Sequence, residues 1–331
     1  MVQKSCTQSK SSTGTMDKDL NTKEPLVSVI MAAKNVEKYI SEAIDSVINQ
    51  TYKNWELIIV DDGSNDTTLS IINDYTKNDS RIKIIHNEKS VGQAFARNTA
   101  VKNSSGDFLA ILDADDIAMP DRITEQVHFL ENNPNVSAIG GHAEIIDDNG
   151  KSLGIKRKAL NIDAIRFSLL LQNQFIHSTM MIRRGVFNKF GGYDNNFIYA
   201  EDYDLWSKII EKNIVLNIDK VVSKFRIQPG SVTKMKDTQI IQLKNNMVVV
   251  FRNVRNLVDY TDDQIQKMYD MVNNYLTILR TIPAFYLYFK LSRQYINMYN
   301  ENKDVSRQIK VILVNRLKYT LIRPIKKLLN K

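Results

Sequence analysis

Between Leu26 and Leu112 the chain alternates short apolar runs with stretches of helical spacing, and this alternation leaves few folds open to it. Leu26–Met31, Trp55–Val60, Arg81–Ile85 and Phe108–Leu112 read as strands. Between them Val36, Ile40, Ala43, Ile44 and Val47 recur at helical spacing, Leu69, Ile72 and Tyr75 mark a second helix, and Val91–Val101 forms a third. Near-continuous apolar strands of this kind are buried on both faces. The βαβαβ rhythm implies an α/β fold with a Rossmann-like, mostly parallel sheet flanked by helices, joined by right-handed crossovers.

The fourth run ends in Asp113-Ala114-Asp115-Asp116, so several carboxylates leave the carboxyl end of a buried strand together. Ligands of open α/β sheets bind at that end. Clustered aspartate oxygens suit Mg²⁺ or Mn²⁺, hard ions that leave coordination places for substrate phosphates. Taken alone, the cluster also reads as an Asp-rich turn capping the helix that begins near Met119-Pro120-Asp121.

From Val136 to Arg226 the pattern is less regular, with β runs at Val136–Ile139, Thr179–Ile182, Ile214–Asn217 and Val221–Phe225 and a helix from Asp202 to Lys212. Pro229-Gly230 punctuates its end. Helical segments follow around Thr238–Leu257, Asp262–Leu279, Pro283–Met298 and Val305–Ile322, where Pro324 breaks the last. The expected organisation is a disordered tail over 1–24, a catalytic α/β domain over 25–230 and a helical C-terminal extension over 231–331.

Charge sharpens this division. Val305–Lys331 carries eight basic residues and no acid, which accounts for the whole formal net charge of +8. The rest of the chain is formally neutral, so a nucleic-acid partner is not expected. The tail lacks an apolar signal segment, and no apolar stretch approaches the ~20 residues needed to span a bilayer. The single cysteine, Cys6, fits a reducing compartment. The expectation is a cytoplasmic protein whose basic end reads equally as a docking segment for the cytoplasmic face of an anionic membrane and as a solvated helix end packed on the catalytic domain.

Four groups of residues line up around the acidic cluster. Asp61-Asp62-Gly63-Ser64 follows the second strand, Gly92 with Arg97-Asn98 opens the third helix, His177-Ser178-Thr179 precedes a late strand, and Glu201-Asp202 begins a helix. With Ser46–Tyr52, Met119-Pro120-Asp121-Arg122 and Gly191-Gly192-Tyr193-Asp194, this order and spacing resembles glycosyltransferase family 2, inverting nucleotide-sugar transferases of GT-A fold. The resemblance covers Val27 to about Arg226.

That resemblance implies a donor site formed by Ala32, Asn35, Asp62, Gly92, Arg97, Asn98, Asp113, His177 and Arg226, with Asp62 on the uracil of a UDP-sugar and Arg97 on the diphosphate or the acidic cluster. It implies Mn²⁺ or Mg²⁺ on Asp115, with Asp113 and Asp116 as further ligands. Asp202 resembles the base that deprotonates the acceptor hydroxyl, and Glu201 would orient the acceptor or raise the proton affinity of Asp202. His177 reads equally as a packed, hydrogen-bonded residue, whereas His86, His128 and His142 read as structural. Two positions depart from the family pattern: Ala32-Ala33-Lys34-Asn35 stands for Pro-x-Tyr-Asn, and Gln228 stands where many relatives place a metal-binding histidine. The implied acceptor is a glycan or lipid-linked saccharide. Rival readings are a sugar-phosphate nucleotidyltransferase and a catalytically inactive scaffold that binds membrane or nucleic acid.

Overall fold

A computed structural model describes residues 24–228, 236–255, 257–272, 278–298 and 307–313. The expected tail lies outside the described residues except for Glu24, as do Cys6, Pro229-Gly230, Pro324 and most of the basic C-terminal end.

The first half forms as its pattern requires. Strands β1 (Val27–Ala33), β2 (Trp55–Asp61), β3 (Ile82–His86) and β4 (Phe108–Ile111) alternate with helices α1 (Ile40–Ile48), α2 (Thr68–Asn78) and α3 (Gln93–Lys102). β1 pairs in parallel with β2 from Val27↔Trp55 and with β4 from Val27↔Phe108, and β3 adds to the outer edge of β2. Side chains alternate across the sheet. Val27, Val29, Met31, Leu57 and Ile59 join one core with Ile40, Ala43, Ile44 and Val47 of α1. Ile30, Ile58 and Val60 join a second core with Ala96, Ala100 and Val101 of α3. The i, i+3, i+4, i+7 stripe of α1 is therefore a core face, and each parallel strand is apolar throughout because it serves two cores.

The second half comprises β5 (Ile117–Ala118), α4 (Arg122–Asn132), β6 (Val136–Ile146), β7 (Ser152–Lys156), α5 (Ile162–Leu169), β8 (Met181–Arg183), α6 (Arg184–Lys189), α7 (Glu201–Ile210) and β9 (Ile214–Arg226). The sheet has nine strands, ordered β3-β2-β1-β4-β8-β6-β9-β5, with β7 paired to β6. Only β5, β7 and β8 run against the other strands, so the sheet is mostly parallel.

Three local expectations shift. The strand expected over Thr179–Ile182 becomes a 3₁₀ turn at His177–Thr179 followed by β8, because the Thr179 hydroxyl and N–H both donate to the Ile176 carbonyl, at 2.7 and 2.9 Å. The runs at 214–217 and 221–225 are one strand, β9, whose pairing with β6 shifts register around His142. The span from Gly141 to Gln174, to which the sequence pattern assigns no element, holds the rest of β6, the hairpin strand β7 and α5. β7 escaped because all five of its residues are exposed, whereas α5 carried a readable start: Asn161 Oδ1 accepts from the Asp163 and Ala164 N–H groups at 3.0 Å.

The helices α8 (Lys236–Arg255), α9 (Asp262–Val272) and α10 (Ile278–Met298) follow, the last starting five residues before the expected Pro283. α8 packs directly on α7. Arg252 pairs with the buried Asp204, and the Asn253 amide donates to the Leu169 carbonyl at 3.3 Å and to Ser207 Oγ at 3.1 Å. Met247, Val250 and Val254 share one core with Leu205, Trp206 and Ile209. Among the described residues no helix is long and apolar enough to cross a membrane.

Candidate active site

The carboxyl ends of the parallel strands and the start of α7 meet at one place. The segment after β4 is held there by the 46–52 motif: Ser46 Oγ accepts the Ala118 N–H at 3.0 Å, Gln50 bonds the Met119 carbonyl at 2.8 Å and the Ile123 N–H at 3.0 Å, and the Thr51 N–H donates to the Pro120 carbonyl at 3.0 Å. Asp121 makes no side-chain cap to α4, and the carboxylates of Asp113, Asp115 and Asp116 bond Arg97, Gln228 and the Arg226 N–H, not the start of that helix. Arg122 lies beneath it, 2% exposed, donating to the Ile111 and Met180 carbonyls at 2.7 and 3.1 Å. Burial lowers its pKa to about 10, and Asp116 and Asp113 oppose that shift.

Arg97 joins the two halves. Its guanidinium donates to Asp113 Oδ1 and to Glu201 Oε1, each at 2.7 Å, and it is 5% exposed. Burial alone would lower its pKa, but Asp113 and Glu201 outweigh burial and the net shift is upward. At Asp113 burial is likewise outweighed, chiefly by Arg97, and the carboxyl stays below the usual range. Removing Arg97 would strand two carboxylates. Arg97→Met should therefore destabilise the fold by about 3–5 kcal/mol, the usual cost of breaking a buried ion pair, and chemical denaturation measures it.

Asp113 and Asp115 are the members of the cluster that reach the surface. Asp115 accepts the Gln228 amide at 2.7 Å, so Gln228 reaches the acidic cluster, and burial followed by the charge of Asp113 raises the Asp115 pKa to about 6. Asp116 is turned inward, 1% exposed: Oδ1 accepts the Arg226 N–H at 2.8 Å, Oδ2 is buried without a partner, and burial with its two neighbours raises its pKa well above normal. Among the described residues no three His, Cys, Asp or Glu side chains converge to hold a metal by themselves. Asp113 and Asp115, the two carboxylates that reach the surface, still fit a divalent cation of the kind completed by substrate phosphates.

Asp202 opens α7 next to Glu201. Its Oδ2 accepts the Asn173 amide at 2.8 Å and its Oδ1 the Tyr203 N–H at 2.7 Å. Burial, then the charge of Glu201, raises its pKa to about 7. Glu201 itself is 4% exposed and bound to Arg97, so it acts on its neighbour through charge and does not face an acceptor. Asn173 was not foreseen, since nothing in the sequence links it to a carboxylate 29 residues away.

Several expected donor contacts are claimed by the protein. The Asn98 amide bonds both the carbonyl and the N–H of Tyr193, at 2.7 and 3.0 Å, and so clasps the turn before α7. Gly192 in that turn has φ +73°, and an added Cβ would lie 2.7 Å from Asn98 Oδ1 and 2.9 Å from the Phe187 ring. Gly192→Ala should cost about 2 kcal/mol or more, seen as a lowered Tm. Arg226 is 3% exposed and ties Glu42, the Asp115 carbonyl (2.9 Å) and the 147–148 turn together over the Tyr39 ring, so it fastens loops.

Asp62 accepts four bonds from the segment before α3: Asn87 Nδ2 (3.1 Å), Ser90 Oγ (2.7 Å) and the N–H groups of Val91 (2.8 Å) and Gly92 (3.0 Å). These outweigh burial and lower its pKa. Its first role is to shape that segment. Gly92, at φ +98° with open space where a Cβ would stand, begins α3. Ala32 lies at the carboxyl end of β1. The exposed Asn35, at φ +51°, bonds Ser64 Oγ and the Asn65 N–H at 3.0 and 2.9 Å. His177 packs edge-on against Tyr193, and its Nδ1 is buried without a partner. Burial and the charge of Arg97 push its pKa down to about 3, so it is neutral.

A parallel half-sheet whose fourth strand delivers an aspartate cluster opposite an acidic helix start belongs to a GT-A fold. Mannosyltransferase PcManGT from Pyrobaculum calidifontis, in complex with GDP-Man and Mn²⁺, superposes with TM-score 0.57 at 16% identity, covering 90% of this chain and 87% of that one. S. aureus TarS 1-349, in complex with UDP-GlcNAc, superposes with TM-score 0.56 at 19% identity over 81% of each chain.

The chain belongs to glycosyl transferase family 2, whose model matches residues 28–191. UDP-Glc:alpha-D-GlcNAc-diphosphoundecaprenol beta-1,3-glucosyltransferase WfgD of Escherichia coli is 36% identical over 251 residues, 75% of this chain and 91% of that protein. The protein is a glycosyltransferase enzyme, which displaces the nucleotidyltransferase and inactive-scaffold readings.

Proposed function

We propose that the protein moves a hexosyl group from a UDP-sugar to a hydroxyl of a lipid-linked saccharide, with inversion, in the building of a surface polysaccharide. The observation that carries this reading is the placement of Asp202: a carboxylate at the start of α7, held by Asn173 and joined through Glu201 and Arg97 to Asp113 at the end of β4. A base whose pKa is near the working pH is well matched to taking the acceptor proton as the hydroxyl attacks. Asn173 fixes the direction of the carboxylate, Glu201 keeps its proton affinity high, and Arg97 fixes the distance between base and donor site.

Asp113 and Asp115 are the residues that would hold Mn²⁺ or Mg²⁺ with the donor diphosphate. The bound ion supplies Lewis-acid stabilisation of the leaving phosphate. The UDP donor and lipid-diphosphate acceptor in the name of WfgD support this substrate class. Incubation with UDP-, GDP- and dTDP-sugars and Mn²⁺ tests the donor: thermal stabilisation and slow hydrolysis confined to UDP-sugars are expected, and a response only to GDP- or dTDP-sugars contradicts it.

A further inference from the structure

The β6–β7 hairpin brings a second charged group to the base. Lys158 lies two residues past the end of β7, partly buried, and its Nζ donates to the Asn173 carbonyl at 3.1 Å, while the amide of Asn173 holds Asp202 at 2.8 Å. A single residue therefore separates the ammonium from the proposed base. Lys156, next on the same side of β7, stands over the Phe225 ring at 5.7 Å.

Neither lysine has a carboxylate within salt-bridge distance among the described residues. Two nearby acids have other partners: Asp219 bonds the His142 ring and Arg157, and Glu144 pairs with Lys224. A neutral carbonyl is a weak counterpart for a desolvated ammonium. Burial lowers the Lys158 pKa to about 7, Lys156 adds to that shift, and Asp202 opposes it. Among the described residues neither lysine is in direct contact with an anion.

We propose that Lys158, backed by Lys156, forms the subsite for the diphosphate of the sugar-diphosphate-lipid acceptor. The inference rests on the transfer reading above and names the feature of the acceptor that this enzyme selects. In such an acceptor the diphosphate sits on the anomeric carbon of the same sugar ring that bears the attacked hydroxyl. With the hydroxyl at Asp202, an anion site is needed about one ring away, and Lys158 is the cation reached from Asp202 through Asn173. The donor diphosphate is assigned elsewhere, to Asp113 and Asp115, which are reached through Glu201 and Arg97. Lysine binds phosphate as a point charge and does not require a fixed fork.

The test compares a GlcNAc-diphosphate carrying a short prenyl chain with a prenyl GlcNAc glycoside lacking the diphosphate, in wild type, Lys158→Met, Lys158→Arg and Lys156→Met. Wild type should prefer the diphosphate acceptor. Lys158→Met should cut that preference, as a ratio of kcat/KM values, by about 10–100-fold, the scale of one charged hydrogen-bonding contact. Lys158→Arg should restore most of it, and Lys156→Met should lose less. Equal loss on both acceptors, or a raised KM for the UDP-sugar alone, overturns the subsite. Wild type that uses the glycoside as well as the diphosphate overturns it too and leaves the transferase reading standing, whereas transfer to neither overturns the reading on which it rests.

Discussion

Asp202→Asn should lower kcat by about 10² to 10⁴, the range of general-base catalysis, while the affinity for the donor stays near that of wild type. The amide keeps the volume of the carboxylate and can still pair with Asn173 after that side chain reorients, but it cannot accept the acceptor proton. Rapid-quench turnover and titration calorimetry with UDP separate the two effects. In wild type, kcat/KM should rise with pH through about 7, where Asp202 ionises, and level off above it. Asp202→Asn should abolish that limb.

Stability should show the same group with the opposite sense. The pKa of Asp202 is raised in the folded state, so between pH ~4 and ~7 the native protein holds a proton that the unfolded chain has released, and stability falls as pH rises through that window. Asp202→Asn should match wild type at pH 4 and exceed it at pH 8, by a few kcal/mol at most. A variant that is less stable at pH 8 would show that the carboxylate is there to hold α7 in place.

Asp115→Asn should reduce transfer to background and weaken Mn²⁺-dependent UDP binding at least tenfold, without lowering the melting temperature. Asp115 lies beyond the end of β4 at the surface and contributes nothing to either core, and its charged form is already disfavoured by burial and by Asp113. Its loss therefore costs the fold little. Asp116→Asn should behave differently, because Asp116 is buried and fastens β9 through the Arg226 N–H. Calorimetry with UDP in the presence and absence of Mn²⁺ distinguishes them; unchanged metal-dependent binding in a folded Asp115→Asn protein removes Asp115 from the donor site.

Much of this was legible before any coordinates. The four parallel strands were readable because each serves two cores and must be apolar along its whole length; the positions of Asp113 and Asp115 followed from the end of the fourth strand, and that of Asp202 from the family resemblance. The partner of each polar group could not be read in the same way. Arg226 looks like a ligand-binding arginine in sequence, yet its guanidinium bonds the Asp115 carbonyl, 111 residues away. Asn98 and Asp62 are likewise claimed by backbone brought near through tertiary folding. Asn173 and Lys158 lie in a segment whose short exposed strand leaves little periodic trace, although the Asn161 cap of α5 was there to be read.

The anomeric configuration of the product tests the central claim most directly. A single displacement assisted by Asp202 attacks the sugar from the face opposite its phosphate, so an α-linked UDP-sugar must give a β-linked product. Proton NMR of the disaccharide, through the coupling constant of the new anomeric proton, reads this without assumptions about any residue. A β product from wild type, made at least ~10²-fold more slowly by Asp202→Asn, is what the account predicts; an α-linked product would contradict direct displacement and the role of Asp202 as its base.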